Sequence, residues 1–438
     1  MNTVQIQSCD GKVVSLQQLN LAAFEPAIPG SKSYTNRALM IAAYTMGETR
    51  ISNALFCDDT IYLAKALDSF GGLAVEIGSD YFLVNRTEEQ LTAPAEPVYI
   101  GAAGTPARLL LSFASQVQGA TIVTGNQRLN ERPMGDLLDA FDHMGVRYEC
   151  LEKPGCLPVR VFASQPHAES WRIDGGISSQ FVSSLLHLAA FSGKSKVAVE
   201  ICNKLVSKPY VAMTLRMLES IGIQISHQQF QNFVVEPASP TPEHIGVEVD
   251  ASAMSYFLVA AAITGTTVKI NNISESSAQG DVGLVRALAE MGCSVHYQPD
   301  SVTLTGGALR GIEIDMDWMP DTVLSLAMAA LFASSPTTIT HIGNLRVKEC
   351  DRIAAIVEGV HRLGGVTESG EDWIRIHPLQ HAKPCVIECY DDHRVAMAFA
   401  LLGLKGIPLQ LSDYDCVSKS FPAYWDVMAA FIKHHTAH

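Results

Sequence analysis

The 438-residue chain contains no run of 18 apolar residues, which excludes an ordinary membrane-spanning helix. It also lacks low-complexity segments and blocks of like charge. Positive charge is scarce: 31 Lys and Arg stand against 45 Asp and Glu, a formal net charge of -14. That balance argues against nucleic acid and against an anionic membrane as partners. The polar opening MNTVQIQSCD lacks the apolar core of a signal peptide. Ten cysteines are scattered without a CxxC pair, Cys385 and Cys389 lying too far apart, and no histidine pattern completes a zinc site. These absences lead us to expect a reduced, cytoplasmic, soluble protein without metal, nucleotide or organic cofactor. With 47% hydrophobic residues, the chain is able to bury two or more cores.

What is present is a repeat. Six times, at intervals of 74, 72, 74, 71 and 71 residues, a glycine- or acid-marked turn opens a helix of small and apolar residues. The segments begin at Gly30, Gly104, Gly176, Asp250, Asp321 and Asp392. An alternating β-branched stretch follows each and predicts a half-buried strand, as in TRISNALF from Thr49, KVAVEICN from Lys196 and TTITHIGNL from Thr337. Next comes an amphipathic helix, with apolar residues at helical spacing such as Leu137, Phe141 and Met144, or Ile353, Ile356, Val360 and Leu363. Gly71, Gly145, Gly222, Gly292 and Gly364 then stand where such a helix closes in a left-handed turn. Each repeat is therefore mixed α/β with two helices, and at about 70 residues none buries enough surface to fold alone. The proline-dense PASPTPEH, from Pro237 to His244, fits either a boundary between two three-repeat domains or an ordinary hairpin loop.

Periodicity alone describes a stacked scaffold; the loops argue for chemistry. The few cations gather beside the repeat turns: Lys32, Arg37, Arg108, Arg128, Arg132, Lys208, Arg346, Lys348, Arg352, Arg394 and Lys419. Helix starts present unpaired N–H groups and the positive end of the dipole. Ser31, Ser178, Asp250, Asp321 and Asp392 are placed to cap them, and Pro106 suits a first turn. Cations and helix starts at equivalent ends of six repeats describe a site for a highly anionic substrate. Each motif also has a plainer reading. PGSKSYTNRAL sets Lys32, Ser33 and Arg37 around one helix start but lacks the GxxxxGKS/T spacing of a nucleotide-binding loop. RVKECDR, from Arg346 to Arg352, reads equally as a self-paired, solvated helix start. DDHR, from Asp391 to Arg394, reads as a capping aspartate beside a surface histidine.

In order along the chain, PGSKSYTNRAL, GTPARLL, LNERP, ISSQF, LVSKPY, the MPD ending at Asp321, RVKECDR, YDDHRVAMAFA and the SKSFP ending at Pro422 resemble one family. It is the 5-enolpyruvylshikimate-3-phosphate synthases (3-phosphoshikimate 1-carboxyvinyltransferases), and the resemblance runs from about Ile28 to Phe421. It implies an α/β (α+β) fold, a two-domain inside-out α/β barrel of six βαβαββ repeats, three per domain, with the active site in the interdomain cleft. Residues 30–249 would form one domain and residues 1–29 with 250–438 the other, with hinge crossovers near 29 and 249. The implied reaction transfers the enolpyruvyl group of phosphoenolpyruvate to the 5-hydroxyl of shikimate 3-phosphate, without a cofactor, in a cytoplasmic monomer.

By the same resemblance, the shikimate 3-phosphate contacts are Lys32, Ser33, Arg37, Ser178, Ser179, Gln180, Ser207, Tyr210, Asp321, Asn344 and Lys348. The phosphoenolpyruvate contacts are Lys32, Gly104, Arg132, Gln180, Arg352, Arg394 and Lys419. Asp321 is the candidate base for the 5-hydroxyl and Glu349 the candidate for proton transfer at the methylene carbon. Lys32 is placed to stabilise the departing phosphate, and His393 to polarise the same region.

One stretch departs from the family. Many members read GNAGTAMRP where this chain reads GAAGTPARL, so Ala102, Pro106 and Leu109 replace asparagine, alanine and proline. Loss of an amide donor at Ala102 leads us to expect altered sensitivity to glyphosate, the family's phosphoenolpyruvate-competitive inhibitor. Two rival readings share the fold. A UDP-N-acetylglucosamine enolpyruvyl transferase normally carries a reactive-loop cysteine, and Thr124 to Pro133 contains none. A non-catalytic binding homologue has no reason to keep Lys32, Asp321, Glu349, His393 and Lys419 together.

Overall fold

The computed structural model describes residues 3–4, 14–15, 22–166, 169–193 and 196–436. The opening MNTVQIQSCD lies outside them apart from Thr3–Val4. The chain divides into two compact units, Gly30–Glu248 and Met1–Pro29 with Val249–His438.

Three four-stranded sheets build the Gly30–Glu248 unit, each a parallel pair extended by an antiparallel hairpin. Val98–Tyr99 lies parallel to Ala120–Thr124, which pairs antiparallel with Val159–Phe162, and Tyr148–Cys150 completes the hairpin. Ser170–Ile173, Val197–Ile201, Asn232–Glu236 and Gln224–Gln228 repeat that order. In the first sheet, however, the parallel partner of Gly47–Ser52 is His244–Gly246, supplied from the far end of the unit. The proline-dense stretch is thus the approach to an edge strand, where missing N–H groups break no ladder.

The second unit follows the same plan. Glu313–Asp315, Thr337–Thr340, Ile374–Ile376 and Thr367–Ser369 form one sheet in that order, and Cys385–Ile387 lies parallel to Leu409–Leu411. Thr267–Asn271, Ser301–Thr305 and Ser294–Gln298 form another, whose parallel neighbour is Phe24 at Val268, again from a distant part of the chain. Where the chain passes between units, Ser31 N–H donates to the Glu248 carbonyl (2.7 Å) within one, and Asp250 N–H to the Pro29 carbonyl (2.8 Å) within the other.

The helices that open the repeats form the interior. In Ala251–Thr264 every residue but Thr264 is buried, and Lys32–Tyr44, Gly104–Ala114, Ser179–Ala190, Val323–Ala330 and His393–Ala400 are buried nearly throughout. A helix apolar on every side belongs in a core, and the Ala and Ser content lets neighbours approach. Gly104–Ala114 packs on Ser179–Ala190, and Val323–Ala330 packs on both Ala251–Thr264 and His393–Ala400. Strands such as Val197–Ile201 alternate and bury one face fully. Helices inside and sheets outside invert the usual α/β barrel, so six helix starts are delivered by rigid core elements.

Two local expectations shift. The TRISNALF strand runs Gly47–Ser52 and stops because Asn53 takes φ 53°; Asn272 (φ 55°) and His341 (φ 58°) end the equivalent strands of later repeats. Gly145, Gly222, Gly292 and Gly364 adopt positive φ, but in the first repeat Gly72 does so (φ 93°), while Gly71 exchanges backbone hydrogen bonds with Thr92. No helix among the described residues is long and apolar enough to cross a membrane.

Candidate active site

In the Gly30–Glu248 unit, Ser31 caps the Lys32–Tyr44 helix by accepting from Tyr34 N–H, and Lys32 Nζ lies 3.3 Å from Asp59 Oδ2. Arg37 turns inward. Its Nε donates to Thr214 Oγ1 (2.7 Å), Nη1 to the Ser33 carbonyl (2.9 Å), and Nη2 to Ser183 Oγ (3.2 Å) and the Tyr210 carbonyl (2.9 Å). Four of the five guanidinium N–H groups are thereby occupied. Burial lowers its pKa to about 10. Arg37 therefore joins three helix segments before any ligand arrives.

Gly104 opens its helix beside Arg132, which is 8% exposed, and a Cβ at Gly104 would fall 2.5 Å from Arg132 Nη1. Only glycine admits the guanidinium so close. Pro106 occupies the first turn, where a missing N–H is harmless, and Leu109 is buried in the helix interior. Ser178 caps Ser179–Ala190 by accepting from Gln180 N–H, and Ser179 is buried. Ser207, at φ 51°, precedes Lys208–Ser220 in a left-handed conformation that a residue with a side chain seldom adopts.

In the other unit, a cluster forms around Arg352. Its Nε donates to Asp392 Oδ2 (2.8 Å), Nη1 to Asp321 Oδ1 (3.0 Å), and Nη2 to Glu349 Oε2 (2.9 Å) and Asp392 Oδ1 (3.2 Å). Burial alone would lower the Arg352 pKa, but Asp392, Glu349 and Asp321 together hold it above the ordinary guanidinium value. Arg394 Nη2 donates to Asp321 Oδ2 (2.9 Å), Lys348 Nζ lies 4.0 Å from Asp321 Oδ1, and Lys419 Nζ lies 3.4 Å from Glu349 Oε1. Two largely buried carboxylates are thus embraced by four cations, which suits displacement by a more highly charged anion.

Asp321 is not a cap as its position had suggested. It sits inside a Pro320–Thr322 turn, its oxygens committed to Arg352 and Arg394. Asp392 does cap, accepting from Arg394 N–H (2.9 Å), and is also the fully buried counter-ion of Arg352. Tyr390 and Asp391, both at positive φ, swing the chain into this helix start. His393 is buried, Nδ1 3.9 Å from Asp392 Oδ1, rather than a surface histidine. Asn344 and Lys348 lie on and just after the Gly343–Val347 turn of the same unit.

Some cations stand elsewhere. Arg346 pairs with Asp351 (2.7 Å) and with the Glu371 and Gly370 carbonyls, as the self-paired reading of RVKECDR has it. Arg128 is an exposed neighbour of Glu131. Sequence reasoning missed Asp59, the Asp392–Arg352 pairing and Asp281. The last is buried, accepts from Ser252 Oγ, and has its pKa raised to about 7 by burial and the charge of Asp321, against the pull of Arg394. Its signal, an acid in the turn before an amphipathic helix, is indistinguishable locally from a cap. Among the described residues, no group of three or more His, Cys, Asp and Glu side chains is arranged to hold a metal ion.

The family model described as EPSP synthase (3-phosphoshikimate 1-carboxyvinyltransferase) matches residues 25–428. The chain belongs to this family. A 3-phosphoshikimate 1-carboxyvinyltransferase of Vibrio vulnificus is 37% identical over 423 residues, covering 95% of this chain and 98% of the relative. One from Aliivibrio fischeri is 39% identical over 428 residues, covering 94% and 98%. In structure, an EPSP synthase of Acinetobacter baumannii superposes with a TM-score of 0.78 at 24% identity, over 94% of this chain and 97% of that one. The enolpyruvyl transferase NikO of Streptomyces tendae follows at 0.71 and 18%, over 94% and 95%. The fold is therefore shared with a transferase of another name, and membership of the EPSP synthase family rests on the sequence relatives.

Proposed function

We propose that this protein transfers the enolpyruvyl group of phosphoenolpyruvate to the 5-hydroxyl of shikimate 3-phosphate and releases inorganic phosphate. The observation that carries the reading is the gathering of Lys348, Arg352, Arg394 and Lys419 on Asp321 and Glu349 in a chain of net charge -14. A cation-rich site with two carboxylates suits two phosphorylated carboxylic acids that must exchange protons.

In the scheme we favour, Asp321 accepts the 5-hydroxyl proton once the substrates draw its arginine partners toward their own charges. The freed alkoxide oxygen forms a bond to C2 of phosphoenolpyruvate, and Glu349 delivers a proton to the methylene carbon, giving a tetrahedral adduct. Return of a methyl proton to Glu349 restores the double bond as the C2–O bond to phosphate breaks, and the proton on Asp321 passes to the departing phosphate, so atoms and charge balance and both carboxyl groups are restored. Arg132, Arg352, Arg394 and Lys419 neutralise phosphoenolpyruvate; Lys32 stabilises the departing phosphate, with His393 polarising the same region. Ser33, Arg37, Ser178, Ser179, Gln180, Ser207, Tyr210, Asn344 and Lys348 hold shikimate 3-phosphate, Arg37 with the little donor capacity its internal bonds leave. Gly104 lets Arg132 approach, and Ala102 and Leu109 nearby support altered glyphosate inhibition.

A cytoplasmic monomer accompanies this reading: buried free cysteines such as Cys57, held in the thiol form, fit a reducing compartment, and the monomeric state rests on the family resemblance alone. The test is product identification by mass spectrometry after incubation with phosphoenolpyruvate and either shikimate 3-phosphate or UDP-N-acetylglucosamine. An enolpyruvyl adduct of shikimate 3-phosphate alone is expected; an adduct of the sugar nucleotide would replace the reading with its rival.

A further inference from the structure

Arg108 belongs to the cations beside the repeat turns but holds no substrate in the scheme above. It is 3% exposed, and its side chain ties together three elements of the Gly30–Glu248 unit. Nη1 donates to Gln180 Oε1 (2.5 Å), Nη2 to the Pro133 carbonyl (3.4 Å), and the guanidinium carbon lies 4.9 Å from the centre of the Phe181 ring. Its own carbonyl accepts from Ser184 Oγ (2.6 Å), which fixes the Gly104–Ala114 helix in register with Ser179–Ala190.

Chemistry makes this arrangement directional. A guanidinium only donates, so a primary amide facing it presents oxygen, and its NH2 group points away with both donors available. Arg108 thus decides which end of Gln180 a ligand meets. The Pro133 carbonyl directly follows Arg132, so the same guanidinium steadies the segment that lays Arg132 over Gly104.

We propose that Arg108 is a positioning residue that holds Gln180 as an obligate hydrogen-bond donor for the anionic substrate and seats Arg132, without touching substrate itself. The inference rests on Gln180 being a substrate contact. KM and kcat are measured for Gln180→Ala, Arg108→Gln, Arg108→Lys and the Gln180→Ala, Arg108→Gln pair. Glutamine at 108 both donates and accepts, so either end of the Gln180 amide then faces it. Arg108→Gln is expected to raise KM for shikimate 3-phosphate about tenfold, the worth of one hydrogen bond to a charged group. The turnover number should stay within about threefold, because the lost interaction serves ground and transition states alike.

In KM for shikimate 3-phosphate the paired variant should be no worse than Gln180→Ala alone, the effect through Arg132 falling on KM for phosphoenolpyruvate, and Arg108→Lys should recover part of the loss. Full additivity of the two substitutions would overturn the proposal. An unchanged KM in Gln180→Ala, with the parent enzyme active, would instead remove Gln180 as a contact and take the inference with it. If Arg108→Gln does not fold, the cycle is run with Arg108→Lys, which supplies a single donor; a rise in KM of about threefold that vanishes in the Gln180→Ala background supports the proposal, and one that persists overturns it.

Discussion

Glu349 sits between Arg352 Nη2 and Lys419 Nζ, which fix its carboxyl group within the cation cluster where our scheme needs a proton donor. Replacing it with glutamine keeps the shape and removes the proton. We expect Glu349→Gln to lose about 10²–10⁴-fold in kcat with little change in either KM; turnover near the parent value would remove Glu349 from the mechanism. Asp281 yields a prediction about pH. Its folded pKa of about 7 lies above the ordinary aspartate value of 3.8, so between those pH values the folded protein keeps a proton that the unfolded chain has shed. Raising pH through that window therefore erodes stability, by an amount on the order of 2–4 kcal/mol. Asp281→Asn cannot ionise, and its unfolding free energy should hold up better than the parent's between pH 4 and pH 7; parallel pH profiles would count against the assignment. The charged groups facing Asp281 are Asp250, Asp321 and Arg394, with the Ser252 hydroxyl as its hydrogen-bond donor.

At the scale of elements, the helix start after Gly30 depends on a close backbone approach. A Cβ at Gly30 would lie 1.8 Å from the Asn53 carbonyl oxygen, and Asn53 is itself held at φ 53° with Nδ2 donating to the Val247 carbonyl (2.7 Å). Neither backbone has room to move. Gly30→Ala should cost about 1–3 kcal/mol or more in urea unfolding; a neutral substitution would show that this turn yields. Helix starts such as this one were legible because capping residues and glycines are local signals, and Ser31, Ser178, Asp250 and Asp392 do cap. The exact left-handed residue, Gly72 rather than Gly71, was not, since adjacent glycines carry the same local signal and the choice is made by pairing with Thr92. Arg37 was legible as a cation near a turn but not as an internal tie, because Thr214 lies 177 positions away. Asp321 looked like a cap for the same reason: its arginine partners lie 31 and 73 positions further along the chain.

For the whole molecule, the acidic composition and the local cation excess belong together. A net charge of -14 leaves few cations to place, and Lys348, Arg352, Arg394 and Lys419 are placed on one cluster, with half-buried Lys32 and buried Arg132 beside helix starts of the other unit. Such a distribution concentrates positive potential where the proposed anionic substrates would bind. The sixfold repeat made the fold class readable, since each repeat encodes the same strand and helix order; the supply of His244–Gly246 and Phe24 to sheets far away in sequence was not, because short edge strands carry little pattern. The most direct test of the account is phosphate release from the purified protein given phosphoenolpyruvate with and without shikimate 3-phosphate. Release that requires both substrates, one phosphate for each enolpyruvyl product, is the predicted result. No release with both present, or equal release from phosphoenolpyruvate alone, would contradict it.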